Sequence, residues 1–210
     1  MTEIVFILDR SGSMAGMEKD TIGGFNSMLK KQKETEGGAF VSTVLFDNTV
    51  QVIHDRLPLE KVPPLTDEDY YVRGSTALLD AVGGAIHHIG IIHKYAEKEN
   101  RPDKTLFVIM TDGMENSSRY YSYERLRSMI DRQKKKYGWE FLFIGANIDA
   151  VSEAERFGID ADFAADYHCD SAGTKVSYET ISEAVCMVRR GSSVSKGWKD
   201  RIDEDYRRRR

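Results

Sequence analysis

Cysteine is scarce in this chain, whose 210 residues contain only Cys169 and Cys186. Two cysteines are too few for a disulfide-stabilised scaffold, and these two lack the spacing of a zinc site. We therefore expect both to be buried free thiols.

Long apolar runs are also missing, and no stretch approaches the roughly 20 apolar residues that a membrane-spanning helix needs. The N-terminus lacks the basic segment, apolar run and small-residue cleavage site of a secretory signal. Its apolar stretch is only IVFIL, at residues 4–8, and this leads directly into polar residues. These absences predict a cytoplasmic protein with no membrane partner.

Neither sign of charge is in large excess. The 30 Lys and Arg residues against 34 Asp and Glu residues give a net charge of −4, which argues against a nucleic-acid partner. The local exception is YRRRR at residues 206–210, a run typical of a solvated, disordered chain end. We expect one folded domain over residues 1–191 and a C-terminal tail over residues 192–210, whose order the sequence leaves open.

Three short apolar runs bounded by polar turns predict strands: IVFIL (4–8), LFVIM (106–110) and FLFI (141–144). Runs that are apolar on both faces are typical of a parallel sheet covered by helices. Over residues 78–96, apolar residues recur at three- and four-residue spacing, which predicts a helix with one apolar face.

The remaining segments complete an α/β pattern. Helices are predicted after the opening strand, around Phe25 and Leu29, and over residues 122–138 and 177–191, while residues 162–166 suggest a last short strand. Residues 40–54 alternate apolar and polar side chains on either side of Asp47 and Asn48, which predicts a hairpin. We therefore expect a three-layer, doubly wound α/β sandwich with about six strands, mostly parallel, and one antiparallel edge strand.

Polar residues follow the predicted strands where these end. Open parallel sheets bind ligands beyond the carboxyl ends of their strands, so we expect these polar residues to meet at one edge. Oxygen donors of this kind suit a hard cation such as Mg²⁺ or Mn²⁺. The candidate metal ligands are Asp9, Ser11 and Ser13 after the first strand, Thr76 before the helix of residues 78–96, and Asp112 after the strand of residues 106–110.

The charges of these five residues suggest what else the ion would bind. Asp9 and Asp112 balance a divalent cation, and the three hydroxyls are neutral donors. The ion therefore stays electrophilic and, if octahedral, has room for an outside ligand. A carboxylate from another protein would complete the coordination.

The motifs Asp9-x-Ser11-Gly12-Ser13, Gly74-Ser75-Thr76 and Thr111-Asp112-Gly113 together resemble the metal-ion-dependent adhesion site, or MIDAS, of the von Willebrand factor type A (VWA) domain. The resemblance covers roughly residues 1–190 in motif order and strand pattern, and is closest in kind to bacterial-type single-domain members. It implies direct hydroxyl ligands from Ser11, Ser13 and Thr76, with the two aspartates bound directly or through water. It also implies a protein ligand that supplies a carboxylate, and associates the chain with ATPase-containing assemblies.

An enzyme is the main alternative, namely a Mg²⁺-dependent phosphoesterase or phosphotransferase of the α/β class. Haloacid-dehalogenase-like enzymes also place an aspartate at the end of a first strand, but they need a second carboxylate two residues later, where this chain has Ser11. The chain also lacks a G-x-x-x-x-G-K-[ST] phosphate loop. We therefore expect a binding module rather than an enzyme, with no catalytic residues.

Simpler structural roles exist for individual members of the motif. Taken alone, Thr76 would be a routine N-cap of the following helix, and Asp9 a turn or capping carboxylate. Neither role accounts for all five residues. The residues next to the motifs, including Arg10, Arg73, Met114, Glu115 and Asn116, are predicted to surround the metal as a rim.

Overall fold

A computed structural model describes residues 1–209. Its centre is a six-stranded sheet in the order β3-β2-β1-β4-β5-β6. All neighbouring strands are parallel except β2 and β3, which are antiparallel. The strands are β1 (Thr2–Asp9), β2 (Ala39–Phe46), β3 (Val50–Pro58), β4 (Lys104–Thr111), β5 (Glu140–Gly145) and β6 (Ala164–Asp166).

Six α-helices accompany the sheet, and they lie on both of its faces. Every helix between two parallel strands crosses over one face and returns the chain to the same edge, as a doubly wound fold requires. The helices are α1 (Glu18–Lys33), α2 (Leu78–Tyr95), α3 (Tyr123–Tyr137), α4 (Ala150–Arg156), α5 (Ser171–Arg189) and α6 (Asp200–Arg208).

Two apolar cores lie on opposite faces of the sheet, because successive side chains of a strand point to opposite sides. On β1, Ile4 and Phe6 pack into the core beneath α1, α5 and α6, whereas Val5 and Ile7 pack into the core beneath α2, α3 and α4. The predicted three-layer α/β sandwich is confirmed, including the antiparallel edge strand β3. Among the described residues, no helix combines the length and the apolar composition needed to cross a membrane.

Two helical segments differ from the sequence prediction. Helix α5 begins at Ser171, six residues before the predicted start, because Asp170 caps it by accepting a hydrogen bond from the Gly173 N–H. Helix α4 was not predicted. It is only seven residues long, too short for a clear periodicity, and Asp149 caps it by binding the Ser152 N–H at 2.9 Å.

The C-terminal segment, whose order the sequence left open, ends in helix α6 and packs against the rest of the domain. Trp198 and Ile202 are buried against the core of the α1 face. The Trp198 indole N–H donates to the Asp162 carbonyl at 2.9 Å. The segment before the run of arginines has an apolar or aromatic residue at every fourth position, which is a helical signal. These residues are Trp198, Ile202 and Tyr206. The last arginine of YRRRR, at position 210, lies outside the described residues.

Candidate metal centre

The topology places the ends of β1 and β4 side by side. These strands are parallel neighbours, and Leu8 is in register with Met110. Asp9 therefore lies beside Thr111, and the loops that follow both strands leave the sheet at the same edge. This edge is the place predicted for the five oxygen side chains.

Asp9 is held by two short hydrogen bonds. Its Oδ1 accepts from the Ser11 backbone N–H at 2.7 Å, and its Oδ2 accepts from the Thr111 hydroxyl at 2.5 Å. The side chain is buried, with 2% of its surface exposed. The carboxylate is thus fixed at the base of the loop that carries Ser11 and Ser13. Thr111, which stands in the quoted Thr111-Asp112-Gly113 motif but is not a predicted ligand, thus positions Asp9.

Asp112 is linked to the serine loop. The Ser13 hydroxyl donates to Asp112 Oδ1 at 2.5 Å, and the Ser11 and Ser13 hydroxyl oxygens lie 3.1 Å apart. Asp112 Oδ2 accepts from the thiol of Cys169 at 3.8 Å, a donor that the sequence did not suggest. Asp112 is buried, whereas Ser13 is exposed, so the cluster opens to solvent at its serine side.

Gly113 shows that three hydroxyls lie near one point. A methyl group added to this glycine would lie 3.1 Å from Thr76 Oγ1, 3.2 Å from Ser13 Oγ and 4.0 Å from Ser11 Oγ. The three hydroxyl oxygens therefore converge on one point next to Asp112. Only a residue without a side chain leaves that point free.

The loop that follows β4 holds Thr76 in place beside the cluster. Its backbone N–H donates to Asn116 Oδ1 at 2.9 Å, and its carbonyl accepts from the Asn116 N–H at 3.0 Å. Helix α2 begins after Ala77 without a side-chain cap, and Glu115 accepts from the Leu79 N–H at 2.9 Å. Thr76 is therefore not the helix cap. Glu115 and Asn116, which were predicted as rim residues, instead hold the Thr76 loop and the start of α2 by hydrogen bonds.

A close approach of two glycines brings the serine loop to the Thr76 loop. The Gly12 N–H donates to the Gly74 carbonyl at 3.1 Å. Gly74 has a φ of +68°, and a Cβ there would lie only 2.2 Å from Asn48 Oδ1. Glycine at position 74 is thus required both by its left-handed backbone and by the neighbouring side chain.

Burial raises the pKa of both carboxyl groups. Desolvation raises the pKa of Asp9 to about 6, because its effect is larger than that of the hydrogen bonds from Ser11 and Thr111, which lower the pKa. The pKa of Asp112 is raised by the same cause, against the bond from Ser13. No Lys, Arg or His among residues 1–209 forms an ion pair with either carboxylate. Two buried negative groups with only neutral partners form a site that favours a cation.

Arg10, although adjacent to Asp9 in sequence, serves a different carboxylate. It is fully buried, and its Nε donates to Asp47 Oδ2 at 2.9 Å. The half-exposed Arg73 binds the same oxygen at 2.8 Å, and both guanidinium groups lie over the Tyr71 ring. Arg10 is therefore not a rim residue as predicted. The prediction failed because the sequence does not reveal that Asp47, at the end of β2, neutralises it.

The residues present fit a hard divalent cation. The cluster offers two carboxylates and three hydroxyls, all oxygen donors, around a space that a methyl group would fill. No group of three His, Cys, Asp or Glu side chains that could hold a metal occurs in the described part of the chain. The donor set is thus unlike the imidazole and thiolate ligands of structural zinc sites. All five predicted ligands, Asp9, Ser11, Ser13, Thr76 and Asp112, lie at this one edge.

Comparisons with known proteins agree with this architecture. No protein-family model matches the sequence, and no curated protein matches it. Among solved structures, proximal thread matrix protein 1 from the mussel byssus aligns with a TM-score of 0.59 over 88% of this chain, at 15% identity. In that structure, the MIDAS motif of the mussel protein holds zinc.

Two prokaryotic structures align over the same share of the chain. A von Willebrand factor type A protein from Catenulispora acidiphila gives a TM-score of 0.57 at 15% identity. The ArnB paralog VWA2 from Sulfolobus acidocaldarius gives 0.53 at 18% identity. The chain has the VWA fold.

The alignments cover less than half of each of these solved chains. The chain covers 46% of the mussel protein, 42% of the Catenulispora protein and 44% of the Sulfolobus protein. It therefore corresponds to less than half the length of these solved chains. The likeness to these structures concerns the fold. The assignment of metal ligands in this chain depends on its own residues.

Proposed function

We propose that this VWA domain is a protein-binding module that depends on a divalent metal. In this proposal, Asp9, Ser11, Ser13, Thr76 and Asp112 hold Mg²⁺ or Mn²⁺, and a partner protein supplies a carboxylate to the ion. The observation that carries the proposal is the convergence of three hydroxyls next to two buried carboxylates that have no cationic partner.

The charge count favours an acidic partner group. The two negative charges of Asp9 and Asp112 balance the charge of a divalent ion. The site with its ion would therefore have no excess negative charge to repel a further carboxylate. The three hydroxyls are neutral and leave the ion electron-poor. Because Ser13 and Met114 are exposed, a partner could reach the ion from this side.

The surface near the cluster supports recognition of a protein rather than a small anion. Met114 is 64% exposed directly after Gly113. Arg73, held by Asp47 and stacked on the half-exposed Tyr71, is close in sequence to Thr76. Met, Tyr and Arg are enriched at protein interfaces. Arg73 would add a charged contact to the partner's acidic segment.

The proposal includes the absence of catalysis. Ser11 occupies the position where a haloacid-dehalogenase-like enzyme needs its second carboxylate, and a hydroxyl cannot serve there as general acid and base. Incubation with a generic phosphate ester and Mg²⁺ is expected to give no turnover above background. Hydrolysis that is lost in Asp9→Asn would establish the enzyme instead.

The setting of this module is part of the proposal. We infer a cytoplasmic location, consistent with two cysteines that form no disulfide. We also infer that the partner belongs to a larger assembly, with an ATPase-containing complex as the first class to examine. Neither a membrane nor a nucleic acid is proposed as a partner.

Metal-dependent capture tests the function directly. The tagged protein would be incubated with extract in Mg²⁺ or in chelator, alongside Asp112→Asn under the same conditions. Partners that bind only wild type and only in Mg²⁺ are expected, and replacing individual acidic residues of such a partner should abolish its binding. If chelator and Asp112→Asn leave the captured set unchanged, the proposed function is wrong.

A further inference from the structure

A surface groove lies between helices α2 and α3, which cover the sheet face that carries Val5 and Ile7. It encloses about 650 Å³, and its floor includes Gly90 and the largely buried Trp139. The nearest atom to a side chain added at Gly90 would be Gln133 Nε2 at 3.5 Å, so the glycine leaves the floor open. The groove is separate from the metal centre and contains none of its five ligands.

The groove has apolar surface that nothing in the fold covers. Ile91 of α2 is 43% exposed and Tyr137 of α3 is 52% exposed, and Met129 lies between the two helices. Along α3, the lining runs from Arg125 to Tyr137, which corresponds to about 18 Å at 1.5 Å per residue. That length accommodates a helix of about three turns.

The rim of the groove is positively charged although the whole chain carries a net charge of −4. Four of the lining residues are cations: Lys94, Arg101, Arg125 and Arg132. The single acidic residue of the lining, Asp103, binds the amine of Met1 at 2.7 Å.

None of these four cations forms an ion pair within residues 1–209. Arg101 donates to the carbonyls of Ala96 and Lys94, and Arg125 donates to the Tyr120 carbonyl. The pKa of Tyr137 is lowered by Lys136 and Arg132, as expected in a positive local potential. Arg125 also lies over the Tyr121 ring and Lys94 over the Tyr95 ring. The four rim cations thus have no acidic partner among these residues.

We propose that this groove binds an acidic amphipathic helix of a partner protein. The apolar face of that helix would lie over Gly90, Ile91 and Met129, and its flanking Glu or Asp side chains would pair with the cations of the rim. Helix-in-groove recognition uses this combination of an apolar stripe and flanking charges. The proposal does not rest on the metal centre, because the groove needs no metal.

A fluorescent helical peptide of about 14 residues, with Leu on one face and Glu beside it, is a suitable probe. Fluorescence anisotropy would measure its binding to the full chain. Two control peptides keep the same length: one replaces every Glu with Lys, and one scrambles the order so that no apolar face forms. We expect binding of the acidic amphipathic peptide and at least tenfold weaker binding of both controls.

Variants of the chain locate the binding. Arg132→Glu and Ile91→Gln alter exposed groove residues, and Lys30→Glu on α1 makes the same charge change as Arg132→Glu elsewhere. We expect both groove variants to weaken binding roughly tenfold or more, and Lys30→Glu, Asp112→Asn and chelator to leave it unchanged. Thermal unfolding would verify that each variant folds.

Each of the following results would overturn the proposal. One is equal binding by Arg132→Glu and Lys30→Glu, and another is equal binding of the lysine peptide. The third is a dimer in sedimentation analysis that Arg132→Glu dissociates, because the groove would then be filled by a second copy of the chain. Loss of peptide binding in Asp112→Asn would likewise contradict the separation of the two sites.

Discussion

The Ser13 hydroxyl donates a 2.5 Å hydrogen bond to Asp112 Oδ1, although 99 residues separate the two positions in sequence. This bond joins the loop after β1 to the loop after β4. Both side chains are also proposed ligands of the ion. The hydrogen bond between them would therefore be replaced by bonds to the metal when the metal binds. Stability should therefore respond to metal through these residues.

Mg²⁺ is expected to raise the melting temperature of the wild-type chain, and Asp112→Asn should abolish the increment. A ligand present at about 100 times its Kd stabilises a folded protein by roughly 2.7 kcal/mol. Because burial raises the pKa of Asp112, the neutral side chain should leave the metal-free fold at least as stable as wild type. Thermal unfolding with and without Mg²⁺ measures both effects.

Asp149→Ala provides the matched control at the same sheet edge. It removes the cap of α4, whose carboxylate accepts from the Ser152 N–H, and such a loss costs about 0.5–2 kcal/mol. The variant should melt lower with and without Mg²⁺ and keep the full increment. A metal response that is identical in wild type and Asp112→Asn would refute the assigned ligands.

Gly113→Ala should abolish metal stabilisation while keeping all five oxygen side chains. Its methyl group would lie 3.1 Å from Thr76 Oγ1 and 3.2 Å from Ser13 Oγ, in the space that these hydroxyls surround. Gly84→Ala, at an open position of α2, should instead stabilise the fold by up to about 1 kcal/mol and keep the metal response. The measurement is the shift in melting temperature with Mg²⁺, and an unchanged shift in Gly113→Ala would place the ion elsewhere.

The response to metal should depend on pH and should begin to decrease near the pKa of Asp9. Burial raises this pKa from 3.8 to about 6. In the metal-free protein, protonation of Asp9 therefore stabilises the fold at low pH, and this contribution is lost as pH rises through about 6. Metal requires the ionised group, so the Mg²⁺ increment should be complete well above pH 6 and decrease as pH falls through it.

Melting curves across this pH range, with and without Mg²⁺, test the competition between proton and metal. In Asp9→Asn the metal-free stability should lose that part of its pH dependence. An increment that stays constant from well above to well below pH 6 would contradict proton competition at Asp9.

The C-terminal segment of residues 192–209 should contribute strongly to stability. Trp198 is 6% exposed and packs with Ile202 against the core of the α1 face, and truncating a buried tryptophan to alanine costs about 3–5 kcal/mol. Trp198→Ala should therefore unfold at clearly lower urea concentration, whereas Arg207→Ala, on the surface of α6, should change stability by less than about 0.5 kcal/mol. Equal urea midpoints for the two variants would mean that residues 192–209 are not part of the folded domain.

The sheet and the cluster of five oxygen side chains were predictable because their signals are local. Apolar runs such as residues 4–8 and 106–110 define buried parallel strands, and parallel strands align their carboxyl ends. Because Asp9 ends β1 and Asp112 directly follows β4, and these strands are neighbours, their proximity follows from the topology. The hairpin at Asp47 was predictable for the same reason, because alternation and turn residues lie within one short segment.

The charged residues were harder to assign because their partners come from distant segments. Arg10 binds Asp47, and Asn116 pairs with Thr76 across 40 residues. With 30 basic and 34 acidic residues in the chain, adjacency in sequence does not identify the partner. The order of the tail was left open for a related reason, because the core that buries Trp198 and Ile202 is built from distant segments.

The sequence by itself determined the α/β class, the strand pattern and the set of five oxygen side chains, because periodicity and strand-end motifs are read within a few residues. Only the tertiary structure decided that two buried carboxylates have no cationic partner, that Gly113 leaves a space among three hydroxyls, and that α2 and α3 border a basic groove. These properties depend on distances between segments far apart in the chain. Burial and charge compensation act through such distances, and no local pattern encodes them.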